Sequence, residues 1–576
     1  MKNILLSKIF WNEFHEPVKS KSSFIKKNVM LSIERLQIYE FDNLAYKYNE
    51  NKGLLTAVLG NFSNWDELKL KYGNNLKNDV DLLELIYLNN SLDKMNDFIS
   101  ELDGIFLLYI YDENIKKVYL FQSIFGFSLP IYYYIDSHGI VISTNLKKLL
   151  LNVNIEREFD QNALSEFLGN NLISNEKTLI KNIKKLVTHS FFEINLEKKE
   201  IAIKPSSNKV PKINEKKAKI NLISSIRKNI ADVAGYLKTS VYDSTLTRGW
   251  DSNLIFNELK NTNYQKINAY TIDGGNEYSE VKEVKEIIED NENISLYTHK
   301  INKSILDFLP DIVWKYEGFV FEMGIFLRYD LAKYLLNGKT NHIFVGSGAD
   351  PILDSNMGPG GNHALQQYGY KTYKSTLYHL KKTLKMGIVG DIWFKFIIEE
   401  TDFMRYKRKT FNNKTKLMYN LEIEYNLKMH EILFNEFSIA GIYPFLNKNT
   451  VSSANVLRKF NHGKNFYKNE LKKLFGEKKS SFIKKTGKVL DTNRIYYENI
   501  DCLKSIINSA FSEKILDKSN LKLIRKKPDN YKTLLIQVAY LFLFSHIFLD
   551  NNYDDQFENN HLNLSLSDIL KKQKLY

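Results

Sequence analysis

The chain has 576 residues, more than one ordinary hydrophobic core accommodates, so two or three domains are expected. With 43% hydrophobic and 26% charged residues it has a globular composition, which excludes a disordered or fibrous chain. The formal net charge of +14 comes from lysines scattered among asparagines rather than gathered in one block; that describes a solvated surface and argues against a nucleic-acid partner.

Cys502 is the single cysteine, which rules out an intrachain disulfide and a cysteine-built metal cluster and suits a reducing, cytoplasmic compartment. At the amino terminus, MKNILLSKIFWNEF has an apolar run only from Ile4 to Leu6. That is too short for a signal-peptide core, so secretion is not expected.

Residues 1–205 read as strand-rich. LDGIFLLYIYD, KKVYLFQSI, PIYYYID and GIVIST are short β-branched and aromatic runs between charged or glycine turns, and DVDLLELIYLNN has helical spacing. Two sheet layers with flanking helices would bury all of them. The stretch KPSSNKVPKINEKKAK, Lys204 to Lys219, marks a boundary, with 206–576 as a second domain.

Beyond it strands and helices alternate. SSIRKNIADVAGYL reads as a helix, the segment to Leu246 as a strand and DSNLIFNELK as a helix. INAYTI, ISLYTH and HIFVGS are further strands, separated by EYSEVKEVKEIIED and LRYDLAKYLLNG as helices. That alternation predicts a doubly wound parallel sheet, with ligands at the carboxyl ends of its strands. After about residue 370 the chain reads as mostly helical. LLIQVAYLFLFSHIFL, Leu534 to Leu549, falls short of a membrane span and reads as a buried helix, so no integral membrane segment is expected.

Two strand ends carry the chemistry. Thr247-Arg248-Gly249-Trp250-Asp251-Ser252 joins a strand to a helix, and the backbone N–H groups of such a turn make a positive concavity for phosphate. Gly346-Ser347-Gly348-Ala349-Asp350 follows a second apolar strand with another small-residue turn. One aspartate at each turn supplies oxygen ligands for Mg²⁺ bridging the phosphates of a nucleotide. An aspartate or serine that merely caps a helix would look the same in isolation, and the pairing favours the nucleotide.

The order of these features resembles the asparagine synthetase family, whose loops read S-G-G-x-D-S and G-x-G-x-D. YTIDGGNEYSEVKEVKEI resembles that family's second strand and following helix, Glu317-Gly318 its Glu-Pro, and YPFLNKN, Tyr443 to Asn449, its P-F-L-D segment. LDGIFLLYIYDENIKKVYLFQSIFGFSLPIYYY resembles its glutaminase domain. The resemblance implies an α/β chain, with a glutaminase-like Ntn-type α+β sandwich followed by a parallel-sheet ATP-pyrophosphatase domain and a helical carboxyl-terminal part.

It also implies activation of a carboxylate by ATP with Mg²⁺, loss of pyrophosphate, and displacement of AMP by an amine. By position Thr247, Gly249 and Ser252 would hold pyrophosphate, Asp251 and Asp350 would bind Mg²⁺, and Leu246, Ile272 and Gly346 would line the adenosine pocket, with Ser347 beside it. The family places a lysine near the phosphates. Here Lys484, Lys485 and Lys488 are candidates, with Lys485 favoured.

The chain departs from that pattern where glutaminase chemistry begins. The family's nucleophile is a cysteine just after Met1; here Lys2 stands there, and the N-G-E segment is replaced near Gly60-Asn61-Phe62. A lysine cannot replace a thiolate in that role, so the amine is expected to be free ammonia or part of the substrate. Family members without the cysteine include lasso-peptide cyclases, which close a macrolactam on a precursor peptide. Asparagine synthetases often carry Glu where this chain has Ser347. The resemblance therefore implies an amide ligase acting on a precursor peptide or small carboxylate, with a leader peptidase or exporter of the same pathway as partners. Ammonia-dependent asparagine synthesis is the alternative. A degenerate, non-catalytic binder is a third, because Arg248 replaces a glycine whose bare backbone lies against pyrophosphate.

Overall fold

The computed structural model describes residues 2–353, 427–550 and 565–572, less 12–22, 90–98, 274–278, 301–304, 460–462, 484–491 and a few shorter gaps. Its amino-terminal part holds two antiparallel sheets. In the first, β1 (Ile4–Phe10) lies between β3 (Val29–Glu34) and β9 (Gly139–Ser143), with β2 (Ser23–Lys26) beyond β3 and β8 (Tyr132–Ile135) and β10 (Lys184–Lys185) beyond β9. The second runs β12 (Glu200–Pro205), β11 (Ser190–Asn195), β7 (Lys117–Gln122), β6 (Gly104–Asp112), β5 (Leu54–Phe62), β4 (Tyr46–Asn49).

The central strands β5 and β6 are buried nearly throughout, and α1 (Asp79–Asn89) packs on β5. Covered strands lose the alternation of half-exposed ones, which explains runs such as FLLYIY. Where Phe62 pairs with Gly104 the φ of the glycine is +118°, and a Cβ there would lie 2.3 Å from the Asn61 carbonyl oxygen. Only glycine fits that approach.

The later part is built on a parallel sheet in the order β15 (Ile294–Lys300), β14 (Lys266–Asp273), β13 (Val241–Thr245), β16 (His342–Phe344), β17 (Ala440–Ile442). From β13 the chain winds outward to β14 and β15, then returns across β13 to β16 and β17. The strand order reverses between β13 and β16, the place where open α/β sheets bind ligands outside the carboxyl ends of their strands. The strand and helix alternation expected over 241–344 is present, with α2 (Glu215–Tyr236), α3 (Trp250–Leu259), α4 (Val281–Ile288), α5 (Leu309–Tyr316), α6 (Gly324–Asn337) and the short α7 (Ala349–Leu353).

Two local readings change. Helix α2 begins at Glu215, inside the stretch read as a boundary, because Asn214 caps it by accepting from Lys217 N and Glu215 favours the amino-terminal dipole. β17 lies in a region read as helical, and at three residues it is too short to show a period. It is followed by α9 (Lys448–Lys459) and preceded by α8 (Lys428–Glu436); α10 (Gly463–Phe482) and α11 (Lys532–Phe544) come later. Pro528–Leu549 is apolar and long enough by composition to cross a membrane, with mean hydropathy 1.6, yet 78% of its apolar window is buried inside the protein. There Tyr540 stacks on Phe167, Phe544 on Phe159 and Phe548 on Trp314. It is a core helix.

Buried polar contacts join the sandwich to the parallel-sheet part. Lys147 Nζ lies 3.0 Å from Glu436 and 3.4 Å from Glu317, and Lys2 Nζ is 2.9 Å from the other Glu436 oxygen. Burial works against the Glu436 charge, but Lys147 and Lys2 hold its carboxyl down at about 2. Asp103 of the sandwich accepts from Lys448 N, and Asn447 caps α9 by accepting from Thr450 N at 2.9 Å. The YPFLNKN segment is thereby fixed against the amino-terminal part.

Candidate active site

β13 and β16 are neighbours, and each leads through a turn into a helix with an aspartate in its first turn, Asp251 on α3 and Asp350 on α7. The turns touch because Gly346 has no side chain: a Cβ there would lie 3.2 Å from both Asp251 Cβ and Ser252 N. Lys464, in the first turn of α10, links the two aspartates. Its Nζ lies 3.1 and 3.2 Å from the Asp251 oxygens and 2.6 Å from Asp350 Oδ1.

Burial works against the charge of Lys464, but Asp251 and Asp350 outweigh it and hold the ammonium well above the usual lysine range. Burial pushes the Asp251 carboxyl up; Lys464 opposes this and Asp350 adds to it, leaving a net rise. Tyr467, three residues on and fully buried, places its ring centre 5.2 Å from Lys464 Nζ. Two carboxylates face one ammonium, and the surplus negative charge on oxygen donors suits a divalent cation. Among the described residues no group of three or more His, Cys, Asp or Glu is arranged to hold a metal. Asp251 and Asp350 are the carboxylates at the two turns that could hold such a cation.

Thr247 to Ser252 form a turn between β13 and α3, and protein oxygens accept from the amides of Thr247, Arg248 and Gly249. Thr247 N donates to Ser252 Oγ at 3.2 Å, Arg248 N to Glu280 Oε2 at 2.9 Å, and Gly249 N to Thr247 Oγ1 at 3.0 Å. Asn253 Nδ2 donates to the carbonyls of Thr247 and Gly249, each at 2.8 Å, and fixes the turn. The Glu280 carboxyl thus accepts from a loop amide at the turn. Burial raises the Glu280 carboxyl above its ordinary value, against the pull of Arg248. The Arg248 guanidinium pairs with Glu283 of α4 at 3.0 Å.

Of the residues read from sequence, Thr247, Gly249, Asp251, Ser252, Gly346, Ser347 and Asp350 come together at the two turns. Leu246 lies just before the first turn, but its side chain is fully buried in the core and would offer a ligand only backbone. Ile272 is on β14, opposite His299 of β15. Lys484, Lys485 and Lys488 lie outside the described residues. Lys464 was missed because, in a chain with 81 lysines and arginines, Gly463-Lys464 at the start of a helical run is a weak mark. Glu280, Glu283 and His430 were missed because they reach the turns from other elements.

Gly60 and Asn61 line a pocket of about 60 Å³ that they share with Glu431 and Tyr443 of the later part. Arg35 is fully buried there, with both terminal nitrogens on Asp79 and one also donating to the Gly60 carbonyl at 2.8 Å. The chain's single thiol, Cys502, is buried in the helix Ile500–Ile507.

Residues 14–205 match a glutamine amidotransferase domain. Over 183 residues the chain is 28% identical to asparagine synthetase [glutamine-hydrolyzing] 2 of Bacillus subtilis (strain 168), covering 31% of this chain and 24% of that protein. Over 255 residues it is 22% identical to a Methanocaldococcus jannaschii protein provisionally named asparagine synthetase [glutamine-hydrolyzing] 2, covering 43% of this chain and 49% of that one. The chain thus spans half or less of the curated relatives it matches, and it is similar to asparagine synthetases at low identity. A solved glutamine phosphoribosylpyrophosphate amidotransferase of B. subtilis is 11% identical with a TM-score of 0.26, covering 66% of this chain and 83% of that one. The solved allosteric regulatory enzyme of purine biosynthesis is 10% identical with a TM-score of 0.24, covering 52% and 74%.

Proposed function

We propose that this chain is a cytoplasmic ATP-dependent amide ligase that activates a carboxylate as an acyl-adenylate, releases pyrophosphate and AMP, and closes a macrolactam on a ribosomal precursor peptide or makes another secondary-metabolite amide. The observation that carries this reading is the convergence of Asp251 and Asp350 on Lys464 at the point where the strand order reverses. Phosphoryl and adenylyl transfer is mostly positioning and charge neutralisation, which is what these side chains supply. Asp251 and Asp350 would hold Mg²⁺, Lys464 would neutralise phosphate oxygens, and the Thr247 to Ser252 turn would orient the leaving pyrophosphate. Lys2, whose ammonium pairs with Glu436 at 2.9 Å, stands where the resemblance places a thiol, and this supports an amine that does not come from glutamine.

Substrate-dependent exchange of pyrophosphate into ATP tests the reading, with Asp251→Asn as control. Exchange that depends on a carboxylate or precursor peptide and falls at least a hundredfold in the control is the expected result. Absence of exchange with every carboxylate tried would leave a non-catalytic binder. The names of the two curated relatives favour a second reading, asparagine formation from aspartate and ammonia. Ammonia-dependent asparagine, without AMP-coupled loss of water from a peptide, would select it.

A further inference from the structure

Attack of an amine on an acyl-adenylate releases a proton, and something must accept it. We propose that His430, acting through the Ser347 hydroxyl, is the proton acceptor for amide formation; this rests on the ligase reading above. Ser347 lies in the turn between β16 and α7, three residues before Asp350, and its Oγ is 3.2 Å from Nε2 of His430 on α8. Arg328 Nε, on α6, reaches the same nitrogen at 3.3 Å. Arginine only donates, so Nε2 carries the lone pair, Nδ1 carries the proton and the imidazole starts neutral. Both Ser347 and His430 are half-buried.

Among the described residues, other groups near the turns are committed elsewhere. Lys464 is a protonated ammonium between two carboxylates, and Asp251 and Asp350 are engaged by it. His299 is held through Nε2 by Asp330 at 2.8 Å. It sits on the edge strand β15, two strands from β13, or about 10 Å at the usual strand spacing of roughly 4.8 Å. His430 instead contacts the turn that carries Asp350.

In the step itself the amine nitrogen bonds to the acyl carbon, the bond from that carbon to the phosphate oxygen breaks, and AMP leaves with the electron pair. The nitrogen's proton passes to Ser347 Oγ as the serine's own proton passes to His430 Nε2. Nε2 then becomes a donor, keeps its bond to Ser347 and releases Arg328, and the proton leaves to solvent. General-base assistance of this kind contributes about 10²–10⁴-fold.

The test separates the two half-reactions of the full chain. L-aspartate, L-glutamate and an octapeptide with a free amino terminus and an internal aspartate serve as carboxylate probes. Pyrophosphate exchange reads activation, amide and AMP formation read the second step, and hydroxylamine, neutral and strongly nucleophilic at neutral pH, traps the activated acyl group. His430→Gln is expected to cut amide formation about a hundredfold or more, while exchange and hydroxamate formation fall less than tenfold. Imidazole should restore amide formation to His430→Gly. Exchange and amide formation falling together in His430→Gln, or amide formation near the wild-type rate, would overturn the assignment. A wild-type chain with no exchange on any probe would overturn the ligase reading and this inference with it.

Discussion

Glu280 occupies the amide that a pyrophosphate oxygen would take, so its removal is expected to tighten ATP binding. Its carboxylate accepts Arg248 N–H at 2.9 Å, a charge-assisted bond. Such a bond contributes about 1.5–3 kcal/mol when buried, and partial exposure of Glu280 brings this to about 1–2 kcal/mol. ATP must displace it, so Glu280→Ala should bind ATP about 5- to 30-fold more tightly. Trp250 opens α3 next to the turn and stacks near Phe475, which makes tryptophan fluorescence a direct titration signal beside calorimetry. Arg248→Gly should change affinity less, because its guanidinium is held by Glu283 at 3.0 Å. Equal or weaker ATP binding by Glu280→Ala would refute the reasoning and show that phosphate does not take this amide.

Lys464→Met leaves Asp251 and Asp350 without their shared cation and should lower pyrophosphate exchange at least a hundredfold; exchange within tenfold of wild type would remove Lys464 from the site. Asp79→Ala strands the fully buried Arg35 and should cost about 3–5 kcal/mol in denaturant unfolding, and a loss below about 1 kcal/mol would contradict the buried pairing. Burial raises the Glu431 carboxyl to about 8 although Tyr443 donates to it at 2.7 Å. Because the folded state holds this proton more tightly than the unfolded one, the contribution is full below the ordinary carboxyl range and is lost as pH rises toward about 8. Glu431→Gln should flatten that decline in thermal unfolding, and an unchanged pH profile would exclude Glu431 as its source.

How much of the molecule the sequence discloses depends on the range of the interactions involved. Strands such as FLLYIY and INAYTI, the helices after them and the two glycine turns are local patterns of burial and backbone freedom, and they are legible without coordinates. The short strand β17 is not, since its three residues become a strand only by pairing with β16. Asp251 and Asp350 are readable because each opens a helix after a strand. Their common partner is not, because Lys464 lies 213 residues from Asp251. Arg248 shows the division at a single residue. From sequence alone its side chain could obstruct pyrophosphate or bind it, and both outcomes follow from the same residue type. Packing of α4 against the turn brings Glu283 to the guanidinium and Glu280 to the amide, a long-range arrangement of charge that no local pattern encodes. The sequence by itself determined the two strand-turn-helix junctions and the aspartate at each; the tertiary structure decided which cation joins the aspartates and which carboxyl meets the Arg248 amide, because those contacts exist only once distant helices meet.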